Sequence, residues 1–292
     1  MEYHLARSLS FMKIRILAIG FLCSVLVAWP AKAATLVYLL AGQSNMAGYQ
    51  SGLPEAPYNE VQSVQFWNYS NDGWTDLRPG LGDTANDIGP EVGFGYAMQA
   101  LHPNDDIYLV KWGVNSTSLA GPWNPDGSGA AYNTFKSRVN AALGSLAGLS
   151  PTIAGMIWMQ GESDAASTAT ANAYAENLTN LITTVRSDFS TPAMPFVAGR
   201  ITDLSIYSGF PGVEAVRHAQ ETVPGLVGNA SWINTDDLAM NPAAPGHYLA
   251  QGQIDLGLRF ANGLAAVPEP SSVVLLGFAL LLGGVIKGSL RI

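Results

Sequence analysis

The chain contains few of the residues that support thiol or disulfide chemistry. Its single cysteine is Cys23, which lies in an apolar stretch near the amino terminus. The rest of the sequence therefore offers no disulfide, no thiol nucleophile and no cysteine-based metal site. Histidine is also scarce, with four in 292 residues, so a catalytic base has few candidates.

Basic residues are in the minority. The chain has 14 Lys and Arg against 22 Asp and Glu, a formal net charge of −8. Six of the basic residues lie before residue 34 or after residue 286, so the part between is more acidic still. A surface of this charge repels phosphate groups, which argues against nucleic acid or an anionic membrane surface as a partner.

The amino-terminal 33 residues have the pattern of an export signal. Basic Lys13 and Arg15 precede an apolar run over residues 16–29, which is too short to span a bilayer comfortably. The small residues Ala31 and Ala33 follow, in the pattern that signal peptidase cleaves. We expect residues 1–33 to be a signal peptide, cleaved after Ala33.

The carboxyl-terminal segment, residues 267–292, combines a proline motif with an apolar run. Pro268-Glu269-Pro270 precedes the run over residues 273–286, and Lys287 and Arg291 follow it. This order resembles the PEP-CTERM sorting signal of Gram-negative bacteria. The resemblance implies transient anchoring in the inner membrane through this segment, cleavage by an exosortase, and a final location at the cell surface or outside the cell. An apolar disordered tail is the alternative.

Between these ends, residues 34–266 alternate short apolar runs with amphipathic stretches. The predicted strands cover residues 35–41, 106–114, 153–159, 195–201 and 231–235. The predicted helices cover residues 132–146, 169–189, 213–223 and 246–260. Unbroken apolar strands alternating with helices predict one α/β domain, with a parallel sheet covered on both faces. Residues 52–87, rich in Gly, Pro, Asn and Asp, are expected to form a long irregular insertion.

Polar clusters directly follow the predicted strands. They are Gln43-Ser44-Asn45, residues 115–118, residues 160–164 and Asp236-Asp237, with His247 ten residues after the last. Ligands bind at the carboxyl ends of the strands in such sheets. The clusters therefore predict a site at one edge of the sheet.

A serine nucleophile needs a base to take its proton. His102 precedes a proline in a polar turn, and His218 lies among polar residues in a predicted helix, so both are expected to be solvated. His247 opens the last predicted helix after Pro245-Gly246. It is the best candidate for the base.

Three blocks of the sequence resemble those of SGNH hydrolases, and more narrowly the sialate O-acetylesterase-like and acetylxylan esterase branch. They are Ala41-Gly42-Gln43-Ser44-Asn45-Met46-Ala47-Gly48, Ile157-Trp158-Met159-Gln160-Gly161-Glu162-Ser163-Asp164, and the stretch that begins at His247. The resemblance implies a three-layer α/β/α domain of flavodoxin-like type. It also implies a serine esterase that removes acetyl groups from carbohydrates, with no metal or cofactor.

The same resemblance assigns roles to individual residues. Ser44 would be the nucleophile, and its backbone N–H would donate to the oxyanion together with the side-chain amide of Gln160. Relatives commonly carry Gly-Gly where this chain has Asn115-Ser116. Because Asn tolerates positive φ better than most residues, a backbone N–H in this region is expected to serve the oxyanion without glycine.

The sequence leaves the identity of the acid that would orient His247 undecided. Many SGNH hydrolases place an Asp three residues before the histidine, and here that position is Ala244. Glu162 is the favoured acid, as proposed for some acetylxylan esterases of this branch. Asp237 and Asp236 are the alternatives, since the loop from them to His247 could fold back.

Two other functions fit the same residues. One is an esterase for short-chain esters that contain no sugar. The other is a non-catalytic surface protein that binds carbohydrate or forms matrix and retains the fold, because the Asp expected before His247 is missing. Trp67, Trp74 and Trp123 could stack on sugar rings, although packing within the scaffold explains them equally well.

Overall fold

A seven-stranded sheet forms the centre of the computed structural model, which describes residues 33–68, 70–205 and 208–267. The strands are β1 (Thr35–Gly42), β2 (Gln65–Asn68), β3 (Gly73–Asp76), β4 (Asp106–Gly113), β5 (Thr152–Met159), β6 (Phe196–Gly199) and β7 (Ala230–Ile233). All neighbouring strands are parallel except β2 and β3, which form an antiparallel pair. The predicted parallel α/β sheet is confirmed.

Helices cover both faces of this sheet. They are α1 (Ser44–Ala47), α2 (Glu91–Leu101), α3 (Ala130–Ser145), α4 (Glu162–Ala165), α5 (Thr168–Asp188), α6 (Val213–Val227) and α7 (Ala250–Ala266). Helices α2 and α7 pack together in one layer, while α3, α5 and α6 form the other. The three-layer α/β/α architecture predicted from the sequence is therefore present.

The strand order is β3-β2-β4-β1-β5-β6-β7. Strand β1 lies between β4 and β5, so the chain passes from one side of β1 to the other after β4. Strand order reverses at this point, and the helices on either side leave a crevice beyond the carboxyl ends of the strands. The end of β1, where Ser44 follows, is therefore where this fold is expected to bind a ligand.

Residues 52–87, expected to be irregular, contain the β2–β3 hairpin. Each strand has only four residues, and β3 carries no fully buried residue, so the apolar periodicity that marks a strand is too short to recognise. Trp67 and Trp74 pack edge to face across the hairpin, 5.0 Å between ring centroids. Trp67 and Trp123 are almost wholly buried, so packing within the scaffold, not sugar stacking, explains those two.

The predicted terminal signals, residues 1–33 and 267–292, lie almost entirely outside the described residues. Within the described ranges, none of the helices has the length and apolar character needed to cross a bilayer.

Candidate active site

Ser44 is placed by the close contact between β1 and β5. A Cβ atom on Gly42, the last residue of β1, would lie 2.0 Å from the carbonyl oxygen of Met159, so only glycine fits there. The chain then turns and Ser44 opens the single turn of α1. As the first helical residue, Ser44 has a backbone N–H with no acceptor inside the helix.

The hydroxyl of Ser44 meets the imidazole of His247. Ser44 Oγ and His247 Nε2 are 3.0 Å apart, although the residues are separated by 203 positions in the chain. The distance is that of a nucleophile hydrogen-bonded to its base. The Tyr49 ring packs against the imidazole at 4.9 Å between centroids, which limits the orientations that the ring can take.

The other ring nitrogen of His247 faces a backbone oxygen. Nδ1 lies 3.3 Å from the carbonyl oxygen of Ala244, at the position where many SGNH hydrolases have the triad aspartate. A carbonyl acceptor favours the tautomer with its proton on Nδ1, which leaves Nε2 free to accept the proton of Ser44. The carbonyl of Ala244 thus orients the ring without supplying a carboxylate.

Burial lowers the pKa of His247 below its ordinary value of 6.5. Its backbone contacts with Ala244 and Pro245 act in the opposite direction but do not outweigh the loss of solvation. At neutral pH the imidazole is therefore neutral, as a general base must be.

Glu162, the favoured acid, lines the same cavity as His247 but is bonded elsewhere. Its Oε1 accepts a hydrogen bond from Asn45 Nδ2 at 2.8 Å, and burial raises its pKa from 4.5 to about 6. Nowhere in the described ranges does a hydrogen bond join Glu162 to His247. The direct contact expected between Glu162 and His247 is replaced by an indirect one, because the Asn45 side chain bonds both Glu162 and the loop that carries His247.

Asn45 connects this carboxylate to the loop that carries the histidine. Its Nδ2 also donates to the carbonyl of Gly246 at 2.9 Å, and its Oδ1 accepts from the backbone N–H of Tyr248 at 3.3 Å. The single side chain therefore holds the residues on both sides of His247. Sequence reasoning assigned Asn45 no role, although its position directly after Ser44 in a polar cluster was the available signal.

The alternative acids, Asp236 and Asp237, do not reach the histidine. Asp236 is paired with Arg217 at 2.8 Å and also with Arg200, while Asp237 is paired with Arg259 at 2.6 Å. Hydrogen bonds from these arginines hold the pKa of each aspartate below its ordinary value. The loop between Asp237 and His247 does fold back, but the carboxylates stay in ion pairs on the surface.

The Asn115-Ser116 turn adopts the left-handed conformation at its second residue. Ser116 has φ +56° and lines the cavity beside Ser44, a backbone strain of order 1–3 kcal/mol for a residue other than glycine. The expectation had placed the positive φ on Asn115. Instead, Asn115 donates from Nδ2 to Asp83 at 2.8 Å, and Ser116 takes the conformation that Gly-Gly would adopt easily.

Gln160 lies beneath the site and not on its surface. It is fully buried, and its Nε2 faces three acceptors: Gln43 Oε1 at 3.1 Å, the Thr117 carbonyl at 3.0 Å and Asp164 Oδ2 at 2.7 Å. A side-chain amide has only two hydrogens, so none remains for an oxyanion. This differs from the role expected from the resemblance.

Asp164 is a second residue that sequence reasoning left without a role. Its buried carboxylate accepts from the backbone N–H groups of Leu119 and Ala120, at 2.7 and 3.1 Å, besides Gln160. These bonds hold the loop after β4, which includes Ser116, against the loop after β5. Gln160 and Asp164 thus shape the wall that faces Ser44.

The cavity at Ser44 has a volume of about 380 Å³. Its polar side is formed by Gln43, Ser44, Ser116, Glu162, Ser163 and His247, and its apolar side by Ala166, Leu204, Phe210 and Pro245. The structure therefore brings four predicted site residues, Ser44, His247, Glu162 and Ser116, to one cavity. It leaves Gln160, Asn115, Asp236 and Asp237 off its surface.

Solved structures share this fold. A protein from Arabidopsis thaliana is 22% identical with a TM-score of 0.69, over 80% of this chain and 100% of its own. NanS is 14% identical with a TM-score of 0.61, over 80% and 98%. A carbohydrate acetylesterase from Xanthomonas citri is 17% identical with a TM-score of 0.59, over 79% of this chain and 56% of its own. At these identities the similarity shows the fold.

No curated protein matches the chain. Its family is shown by a match to a model of a whole protein family. The family model described as "Carbohydrate esterase, sialic acid-specific acetylesterase" matches residues 34–266, which is most of the chain and includes every residue of the cavity. The chain belongs to this family of carbohydrate esterases.

Proposed function

We propose that the protein removes O-acetyl groups from carbohydrates by acyl transfer through Ser44, with His247 as general base and acid. The observation that carries the proposal is the 3.0 Å contact between Ser44 Oγ and His247 Nε2 at the edge of a cavity large enough for a sugar ester. A serine in hydrogen-bond contact with a neutral, half-buried imidazole is an activated nucleophile.

In the first step His247 takes the proton of Ser44 while the hydroxyl oxygen attacks the acetyl carbonyl. The charge that develops on the carbonyl oxygen is stabilised by the backbone N–H of Ser44 and by the loop at Ser116. His247 then protonates the sugar oxygen, which leaves as an alcohol. In the second step water, deprotonated by His247, hydrolyses the acetyl-enzyme and releases acetate.

The imidazolium formed during attack is stabilised by the Ala244 carbonyl in place of a direct carboxylate contact. Glu162 contributes through Asn45, which bonds the carbonyl of Gly246 beside the histidine. We therefore assign catalysis to the Ser44–His247 pair, and to Glu162 and Asn45 the positioning of the loop that carries His247.

An organophosphonate that reacts with activated serines tests the nucleophile. We expect a single adduct on the peptide that contains Ser44, detected by mass spectrometry, and a greatly slowed reaction in His247→Ala because the base is gone. Ser137→Ala, a change at an exposed position of α3, should label like the unaltered protein. Labelling at a different serine, or equal rates with and without His247, would contradict the mechanism and favour the non-catalytic alternative.

The pH dependence of kcat/KM follows from the lowered pKa of His247. The base must be neutral, so activity should rise as pH increases through a value below 6.5 and then level off. The Glu162 carboxylate titrates nearby, with a pKa of about 6. Repeating the profile in Glu162→Gln separates the two groups, since the rising part of the curve should persist there. A midpoint above 6.5 would be inconsistent with the lowered pKa of His247.

We propose further that the domain is exported and sorted to the cell surface, on the sequence of residues 1–33 and 267–292 alone. Signal peptidase and an exosortase would then process the chain. Mass spectrometry of the protein recovered from its native cells should find a mature form that starts at Ala34 and lacks the apolar carboxyl-terminal run. Recovery of both segments intact would refute this proposal.

A further inference from the structure

The charges around the cavity of Ser44 and His247 are all of one sign. Among the described residues that line the cavity, Glu162 is the only carboxylate, and none is Lys or Arg. His247 is neutral when it acts as a base, so it supplies no cation to a substrate that binds before the reaction. The described residues around the ester therefore offer no positive group to a bound anion.

None of the eight basic residues between residues 34 and 266 lines the cavity, and seven of them have contacts elsewhere. Lys111, the one at the neighbouring end of β4, forms a buried ion pair with Glu91 at 2.8 Å. Arg217 is bonded to Asp236 at 2.8 Å, and Arg186 donates to four backbone carbonyls. The others are Lys136, paired with Asp188; Arg200, paired with Glu221 and Asp236; Arg259, paired with Asp237; Arg138, stacked on Trp112; and Arg78, exposed on the surface.

A sugar that carries a carboxylate would be poorly accommodated in this cavity. Its charge would lose water on binding without gaining a partner, and it would enter near the carboxylate of Glu162. The net charge of the chain, −8, opposes its approach from solution as well. A neutral sugar has none of these costs, and the apolar wall of Leu204, Phe210 and Pro245 suits the carbon face of a sugar ring.

We propose that the cavity selects acetyl esters of uncharged sugars and discriminates against sugars that bear a carboxylate, sialic acid included. The proposal rests on the proposed function and narrows its substrate class. The proposed class excludes the sugar in the name of the family, because the strongest partners of a carboxylate are Arg and Lys, and neither is among the described residues that line the cavity.

A matched pair of substrates isolates the charge. O-acetylated N-acetylneuraminic acid carries an ionised carboxylate, and its carboxyl methyl ester carries a neutral group with one added methyl in its place. Release of acetate is measured for both. We expect kcat/KM to be at least tenfold higher for the methyl ester. Equal or faster release from the free acid would overturn the proposal.

Binding to Ser44→Ala, measured by calorimetry, tests the same selection without turnover. Tighter binding of the methyl ester supports the proposal, whereas equal binding, tighter binding of the acid or binding of neither overturns it. If the preference is present but the unaltered protein releases no acetate from either compound, the esterase mechanism fails while the charge selection holds. The two failures are therefore distinguishable.

A gain-of-function variant tests the physical cause. Ala166 is exposed and lines the cavity, so Ala166→Arg can place a guanidinium at its mouth without disturbing the core. Relative to the neutral control Ala166→Gln, we expect the preference for the methyl ester to fall at least threefold. An identical preference in both variants would contradict the missing cation as the reason for selection.

Discussion

Ser44→Ala is expected to lower kcat for acetate release by on the order of 10⁴-fold or more. The change removes the oxygen that would form the acetyl-enzyme in the proposed mechanism, and no other hydroxyl contacts His247 Nε2 in the described part of the chain. The residue is buried in the first turn of α1, and alanine fits the space, so the fold should be retained. Any residual rate would come from the remaining polar groups that contact the ester.

Two controls make this result specific. Ser137→Ala, on the exposed side of α3, should leave kcat unchanged. His247→Ala should cost about as much as Ser44→Ala, and the double variant little more, because the two residues act as one unit. A Ser44→Ala protein that keeps activity within tenfold of the unaltered protein would show that the hydroxyl is not the nucleophile.

Asn45→Ala is expected to lower kcat by about 10²-fold. The asparagine holds Glu162, the carbonyl of Gly246 and the N–H of Tyr248, and its loss frees the loop on both sides of His247. A displacement of about 1 Å in a catalytic group is enough for a loss of that size. Asn45→Asp is the matched variant of equal shape, and it should lose as much, because it turns a carboxylate toward Glu162. Circular dichroism establishes that each variant is folded.

Glu162→Gln should cost less than tenfold in kcat, because a glutamine oxygen can still accept from Asn45. If Glu162 instead contacted His247 as the triad acid, the loss would approach 10⁴-fold, as in other triads. A deep loss in Glu162→Gln with a mild one in Asn45→Ala would therefore return Glu162 to the role of a direct acid.

Glu162→Gln should also change the pH dependence of the free energy of unfolding. Because folding raises the pKa of Glu162 from 4.5 to about 6, the folded state favours the protonated side chain. The stability that this preference provides is complete below pH 4.5 and is lost as pH rises through 6. At neutral pH the ionised group therefore costs about 2 kcal/mol. Glu162→Gln should recover part of this in the free energy of unfolding at pH 7 and none at pH 4.

Much of the fold was readable from the sequence because the strands of the central sheet are buried on both faces. An unbroken apolar run such as that of β4 or β5, followed by a stretch with helical periodicity, predicts a buried parallel strand. The β2–β3 hairpin and helix α2 were not predicted. Their strands are short, and Gly93 and Gly95 within α2 lower its helical propensity, while the close packing of α2 against α7 supplies the stability that propensity does not.

For the site, the sequence by itself determined the chemical groups: a serine after the first strand, one plausible histidine near the end, and carboxylates in the polar clusters. Only the tertiary structure decided which of them meet. Sequence spacing shows that Glu162 and Gln160 follow the same strand. It does not show that Asn45 bridges Glu162 to the loop of His247, or that three buried acceptors surround the side-chain amide of Gln160. The backbone carbonyl of Ala244 faces Nδ1 of His247 at 3.3 Å. No side-chain pattern reveals this contact, because every residue carries that oxygen and only the path of the loop aims it at the imidazole.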